Sequence, residues 1–163
     1  MFARPQIQMP PICYFRSGLH GHGLFSLAQV QGYSILSEYA GEIIGSLLTE
    51  LRDIAYQENG FTSVYMFEVR PDAVIDATFM GNYGRFINHS CDPNAESSLI
   101  FKEGQGVVVK FKAGSYGVGV VLRTTKMLCI GFEATQNYHM AHAKYDQKIP
   151  CACGSATCTG FMN

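Results

Sequence analysis

Three cysteines crowd the C-terminal end of the chain in the run CACGSATC, where Cys151 and Cys153 flank one residue and Cys158 follows after four more. Gly154 between them permits the sharp turn that lets both ends of the run face one ion. Zinc takes four soft ligands in a tetrahedron, and three are local here. Cys91, in the polar stretch NHSCDPN, is the obvious candidate for the fourth. Spacing alone leaves a second reading open, three free thiols on a chain end.

A second chemically dense stretch runs from Arg85 to Asn94, RFINHSCDPN. It is too polar for a core strand and too aromatic for a linker. Taken singly, Asn88 or His89 reads as a side chain satisfying backbone groups in an irregular turn. The density of unusual residues around Cys91 points instead to function. A third stretch, Gly21-His22-Gly23-Leu24-Phe25, places two glycines about one residue, so backbone can come close to a ligand. It is not a dinucleotide-binding fingerprint, because the third glycine and the following helix are missing.

The elements that must position these residues are those of one small domain. At 163 residues, 47% hydrophobic and 15% charged, the chain has enough apolar material for one core and too little length for two. Its net charge of -1, from 12 basic and 13 acidic residues, lacks the basic excess of a nucleic-acid binder. A basic peptide remains compatible, since an acidic groove can sit in a neutral protein. The N-terminus lacks the charged head and apolar run of a secretory signal, and no apolar stretch is long enough to span a bilayer, so a soluble intracellular protein is expected. Clustered rather than dispersed cysteines favour a metal over a disulfide framework.

Residues 1–15 are Pro-rich and expected to be extended or poorly ordered. Periodicity predicts strands over 33–39, 64–69, 73–76, 99–101, 107–111 and 118–122. It predicts one helix from Leu48, with Leu51, Ile54 and Ala55 on one face, Thr49 as its cap and Asn59-Gly60 as its stop. The result is a mainly β, α+β domain of short strands. Composition and periodicity name no activity.

In order along the chain, HGHGLF, EYAGEII, YMFEV, VIDATFMGNYGRFINHSCDPNA and CACGSATCTGFMN resemble the SET domain with its post-SET tail. The trithorax/MLL branch is most similar, through Leu51-Arg52-Asp53 in the helix and Lys148-Ile149-Pro150 before the tail. The resemblance covers residues 17–95 and 145–163 well and 96–132 poorly. It implies a β-clip of several small sheets with a knot-like C-terminal crossing. It divides the chain into an N-terminal flank (1–16), a SET domain (17–140) and a zinc-binding tail (147–163).

The activity implied is methyl transfer from S-adenosylmethionine to a protein lysine, most similar to enzymes acting on the histone H3 tail. The resemblance further implies a nuclear address and adaptor subunits of a chromatin complex, with no direct nucleic-acid site and no membrane. By family pattern His20, Gly21, His22 and Gly23 cradle the methionine end of the cofactor. Tyr65, Asn88 and His89 also contact it, His89 partly through its backbone at the adenine. Phe161 closes over the adenine, and Ala152 touches the cofactor through its backbone. One structural zinc on Cys91, Cys151, Cys153 and Cys158 pins the tail. Glu133-Ala134-Thr135-Gln136-Asn137-Tyr138 fits the family's Glu-x-Thr-x-x-Tyr ending, which makes Tyr138 the catalytic tyrosine in preference to Tyr145. Tyr65, Gln136 and Tyr138 then line the lysine channel.

The sequence departs from the pattern at Gln136, where the family has Phe or Tyr, and at Asn137, which replaces Asp. The Gly-Glu-Glu approach to the tyrosine is also absent. These changes fall on the channel and spare the cofactor side, which motivates an alternative: a SET-fold module that binds cofactor or peptide without turnover.

Overall fold

The computed structural model of the chain describes residues 9–101, 118–140 and 148–162. Their strands form three small sheets. The first, ordered β1-β2-β10-β7, joins β1 (Ile12–Arg16), β2 (His22–Ser26), β10 (Glu133–Gln136) and β7 (Asn88–His89). The second is β3 (Ile35–Glu38), β9 (Val118–Thr124) and β8 (Ala95–Phe101), paired in that order. The third is β4 (Glu42–Ile44), β6 (Ala73–Asp76) and β5 (Met66–Arg70). The expected strand at 107–111 lies outside the described residues. Of the N-terminal stretch expected to be extended or poorly ordered, Ile12–Arg16 form β1, and residues 1–8 lie outside the described residues.

The sheets close on one core of Leu24, Leu36, Ile75, Ile87, Val120, Leu122, Leu128 and Ala134, each at most 3% exposed. Burying a large aliphatic side chain of this kind is worth roughly 1.5–3 kcal/mol. Leu24, Ile87 and Ala134 are inward neighbours of the chemically dense segments, so the core fixes the backbone that carries the site.

The single α-helix among the described residues, α1 (Ser46–Glu58), starts earlier than its periodicity indicates. Gly45 is its cap, and no side chain serves the first turn. Thr49, expected to cap, sits inside the helix and donates its hydroxyl to the Gly45 carbonyl at 3.0 Å. That i to i−4 bond is the usual way a mid-helix threonine satisfies its hydroxyl. Asn59 and left-handed Gly60 (φ 75°) end the helix as expected. The shared face of Leu51 and Ile54 points to solvent, at 58% and 55% exposure. The helix is held instead by a polar anchor. Arg52 and Tyr56 both donate to Asp76 Oδ2, at 2.8 and 2.7 Å, and the Arg52 guanidinium also reaches Glu42 at 2.8 Å.

Candidate active site and metal centre

The last strand of the first sheet is the spine of the site. β10 lies antiparallel to β2, with Glu133 opposite Phe25 and Ala134 opposite Leu24. Its other edge is parallel to β7, with Thr135 opposite Asn88 and Gln136 opposite His89. Asn94 clamps it: its Nδ2 donates to the Glu133 carbonyl (2.8 Å) and its Oδ1 accepts the Thr135 N–H (2.9 Å). The Ser90 N–H donates to the Gln136 carbonyl at 2.9 Å. The four residues of β10 therefore bring the two glycines, the NHSC motif and the candidate tyrosine into one group.

The turn before β2 is shaped by glycine and held by one amide. Gly21 is left-handed (φ 49°), a conformation side-chain-bearing residues rarely adopt, and the Ser17 N–H donates to its carbonyl at 3.0 Å. Asn88 Nδ2 lies within hydrogen-bonding distance of the His20 carbonyl (3.1 Å), the His22 carbonyl (2.9 Å) and Glu133 Oε1 (2.7 Å). The Glu133 carboxylate also accepts the Ser17 hydroxyl, at 2.9 Å to each oxygen. Gly23 is the only residue type that admits this carboxylate, since a Cβ there would stand 2.2 Å from Glu133 Oε1. His20 and His22 are exposed, and the His22 ring packs against Tyr14 and Phe86 at 5.7 Å. Tyr65 is half-buried with its ring edge-on to Phe86.

Tyr138 follows directly from this strand. Its hydroxyl donates to the Ile87 carbonyl at 2.9 Å and its backbone N–H to His89 Nδ1 at 3.2 Å. Burial pushes its phenol well above the usual tyrosine range, and the neighbouring Tyr65 phenol pushes it further. Tyr39 is shifted the same way, by burial first and then by Tyr138. Tyr39 and Tyr138 thus lie close to Tyr65, and burial keeps the Tyr39 and Tyr138 phenols protonated at neutral pH. Gln136 is 3% exposed, and its Oε1 has no hydrogen-bond partner among the described residues. Tyr145, the rival to Tyr138, lies outside the described residues.

The four cysteines converge. Their sulfur atoms all lie within 4.8 Å of one another, and Cys91 Sγ is 3.8 Å from both Cys151 Sγ and Cys158 Sγ. A tetrahedral zinc with arms of about 2.3 Å requires edges of about 3.8 Å, so the donor set fits the ion in number, softness and spacing. The Gly160 N–H donates to Cys158 Sγ at 3.3 Å. The tail closes into a loop through the Cys151 N–H to the Gly160 carbonyl and the Met162 N–H to the Ile149 carbonyl, both 2.9 Å. Ala152 and Phe161 lie in this loop, which meets the NHSC segment at Cys91, whose sulfur is 3.5 Å from His89 Nε2. The Lys148 ammonium stands 4.6 Å from the centre of the Phe161 ring.

Four residues of this group were not singled out by sequence reasoning. Glu133 and Asn94 were legible only as parts of longer motifs, and Tyr39 as part of EYAGE. Ser17 carries no local signal at all. A hollow of about 300 Å³ lined by Glu42, Arg52, Tyr56, Asp76, Phe79 and Met80 shares no residue with the group. No helix among the described residues is long and apolar enough to cross a membrane.

Residues 21–139, well over half of the chain, match the SET domain family. The chain is 36% identical over 91% of its length to "Histone-lysine N-methyltransferase trithorax" of Drosophila virilis, covering 4% of that protein. It is 34% identical over 94% of its length to "Histone-lysine N-methyltransferase, H3 lysine-4 specific" of Saccharomyces cerevisiae, covering 13% of it. To "Histone-lysine N-methyltransferase SETD1B" of Homo sapiens it is 34% identical over 92% of its length, covering 7%. The chain therefore spans a small fraction of the length of the curated relatives it matches.

Proposed function

The chain belongs to the SET domain family, and from that premise we propose a protein-lysine N-methyltransferase that uses S-adenosylmethionine and acts on a lysine of the histone H3 tail. The observation that carries the reading is the convergence of Asn88, the His20–Gly23 turn and Tyr138 on one short strand. S-adenosylmethionine, when bound, supplies a methyl group on a positively charged sulfonium.

The chain's own residues divide the remaining work. His20, Gly21, His22 and Gly23 offer backbone groups at a turn that Asn88 and Glu133 hold from behind. His89, with Ala152 and Phe161 of the tail, completes the cofactor side. Zinc on Cys91, Cys151, Cys153 and Cys158 takes no part in the chemistry and holds the tail in place.

Tyr65, Gln136 and Tyr138 line the channel for the substrate amine. Tyr39, buried among them, joins that wall. A free lysine has a pKa of about 10.4 and must lose a proton before its nitrogen can attack. Burial holds the Tyr39 and Tyr138 phenols protonated, so neither serves as the base, and the proton leaves to water. Burial beside a sulfonium favours that loss, because both disfavour a charged ammonium. The Tyr138 hydroxyl hydrogen is committed to the Ile87 carbonyl. Its oxygen lone pairs are thereby left to orient the amine, which is catalysis by positioning.

The same reading proposes a nuclear protein working with adaptor subunits. The test is mass spectrometry of an H3 N-terminal peptide incubated with the zinc-loaded chain and S-adenosylmethionine, beside Tyr138→Phe. Mass gains in methyl steps that fall at least about a hundredfold in the variant support the proposal. Cofactor binding without any gain, on core histones and with adaptor subunits present, replaces it with a binding module that holds cofactor without turnover.

A further inference from the structure

We propose that the His89 imidazole couples the metal centre to Tyr138, donating its Nε2–H to the zinc-bound Cys91 thiolate while its Nδ1 accepts the Tyr138 backbone N–H. The inference rests on the reading of the four thiols as a zinc site and of Tyr138 as the residue facing the substrate amine.

The ring is 6% exposed and both of its nitrogens are engaged. A backbone N–H can only donate, so Nδ1, 3.2 Å from the Tyr138 nitrogen, is the acceptor. A neutral imidazole has one acceptor and one donor, which places its proton on Nε2. That nitrogen lies 3.5 Å from Cys91 Sγ. Four thiolates around one divalent cation leave an excess of two negative charges in the site. An N–H aimed at one sulfur disperses part of that excess, which is what partners of metal ligands do elsewhere.

The consequence is mechanical as well as electrostatic. Tyr138 packs edge-on against the same ring, with centroids 5.3 Å apart. An imidazole is rigid, so a displacement of Cys91 on loss of the ion is passed directly to the backbone of Tyr138. His89 is in this respect a positioning residue for Tyr138, in addition to any contact with cofactor.

Two substitutions separate the ends of the ring. Asparagine at 89 places an acceptor oxygen where Nδ1 was and removes the donor toward Cys91. Glutamine places an amide donor near the Nε2 position and removes the acceptor for Tyr138. The zinc-loaded full chain is mixed with a chromophoric chelator, and the rate of zinc transfer is followed. His89→Asn is expected to lose zinc about tenfold faster than the unsubstituted protein, and His89→Gln to stay within about twofold, on the scale of outer-sphere effects on metal affinity. The second readout is the Tyr138 backbone amide resonance on replacing zinc by cadmium. It is expected to shift in the unsubstituted protein and to stop responding in His89→Gln. Wild-type zinc release from His89→Asn, or an equally responsive Tyr138 amide in His89→Gln, overturns the coupling.

Should either variant fail to fold, the unsubstituted protein loaded with cadmium-113 decides. A scalar coupling between the metal and the His89 Nε2–H supports the bond, and its absence removes it. None of these readouts uses methyl transfer. A chain with the coupling but no transfer overturns the functional proposal alone, and an active chain without it overturns this one alone.

Discussion

Replacing Glu133 by alanine tests whether the turn at His20–Gly23 is held from behind or supports itself. The carboxylate accepts the Ser17 hydroxyl and the Asn88 amide, the latter at 2.7 Å. After truncation the Asn88 Nδ2 still has the His20 and His22 carbonyls at 3.1 and 2.9 Å, so no buried donor is orphaned. Ser17 Oγ still accepts the Leu19 N–H at 2.9 Å, and the hydroxyl of this half-buried residue can turn its freed hydrogen to water. The loss is therefore nearer one charge-assisted hydrogen bond than two, about 2 kcal/mol. Where that energy holds the turn in its binding geometry, it reappears as cofactor affinity weakened by about thirtyfold. Glu133→Gln keeps an acceptor without the charge and should weaken affinity by about fivefold, the equivalent of about 1 kcal/mol. Calorimetric titration of the zinc-loaded variants with S-adenosylhomocysteine measures both, and thermal unfolding confirms that each is folded at the titration temperature. Affinity of Glu133→Ala within about threefold of the unsubstituted chain would refute the reasoning, because the turn would then need no support.

Cys91→Ser removes one of four soft ligands, so elemental analysis should find zinc in the unsubstituted chain and a marked loss in the variant. Unchanged zinc content would remove Cys91 from the site. Asp76→Asn breaks the anchor of α1 and should cost about 3 kcal/mol in urea unfolding, the low end for a broken buried pair. Burial alone would push the Asp76 carboxyl up, but hydrogen bonds from Arg52, Thr78 and Tyr56 hold it below the usual range. Its folded value being depressed, its contribution is full above the unfolded value of about 3.9 and is lost as pH falls through the lower folded value. A stability profile in that acid window as steep in Asp76→Asn as in the unsubstituted chain would contradict this. Gln136→Leu removes a buried acceptor that has no partner among the described residues, and should stabilise the fold by about 1 kcal/mol or more. It should also shift products toward higher methylation, because an acceptor at that wall favours amines that still carry N–H bonds; an unchanged product distribution removes Gln136 from the channel.

The chemistry was more legible in the sequence than the scaffold. RFINHSCDPN packs its chemically dense side chains into one contiguous stretch, and three of the four converging cysteines sit in a short run, so residue types and spacing carried the signal directly. The helix misled because periodicity registers apolar residues without knowing what they face. Leu51 and Ile54 share a face that meets no core among the described residues, whereas Arg52 and Tyr56, outside that apolar face, bind the buried Asp76. Thr49 has the right residue type for a cap, but its hydroxyl serves a carbonyl inside the first turn. β10 gives no local strand signal, since EATQ neither alternates nor carries β-branched residues beyond Thr135. Its extended form comes from partners on both edges, a tertiary effect that commonly overrides propensity.

That dependence on partners explains how so short a strand can carry so much. Side chains of a strand alternate, so Glu133 and Thr135 share one side and Ala134 and Gln136 the other. Ala134 is 1% exposed and joins the core, and Glu133 reaches the turn before β2. The two neighbours run in opposite directions relative to β10, antiparallel β2 on one edge and parallel β7 on the other. The turn that leads into β2 and the histidine that ends β7 are therefore brought to the same strand, with Tyr138 just beyond it. Asn94 closes the arrangement by bonding the backbone on both sides of Ala134. A one-residue slip of β10 would exchange its two faces, sending Glu133 into the core and Ala134 toward the turn. The register that buries Ala134 thus also places the support of the turn and the backbone of Tyr138. Substitutions that loosen the Asn94 clamp should for this reason weaken cofactor binding and metal retention together, although Asn94 touches neither the His20–Gly23 turn nor a cysteine in the described contacts.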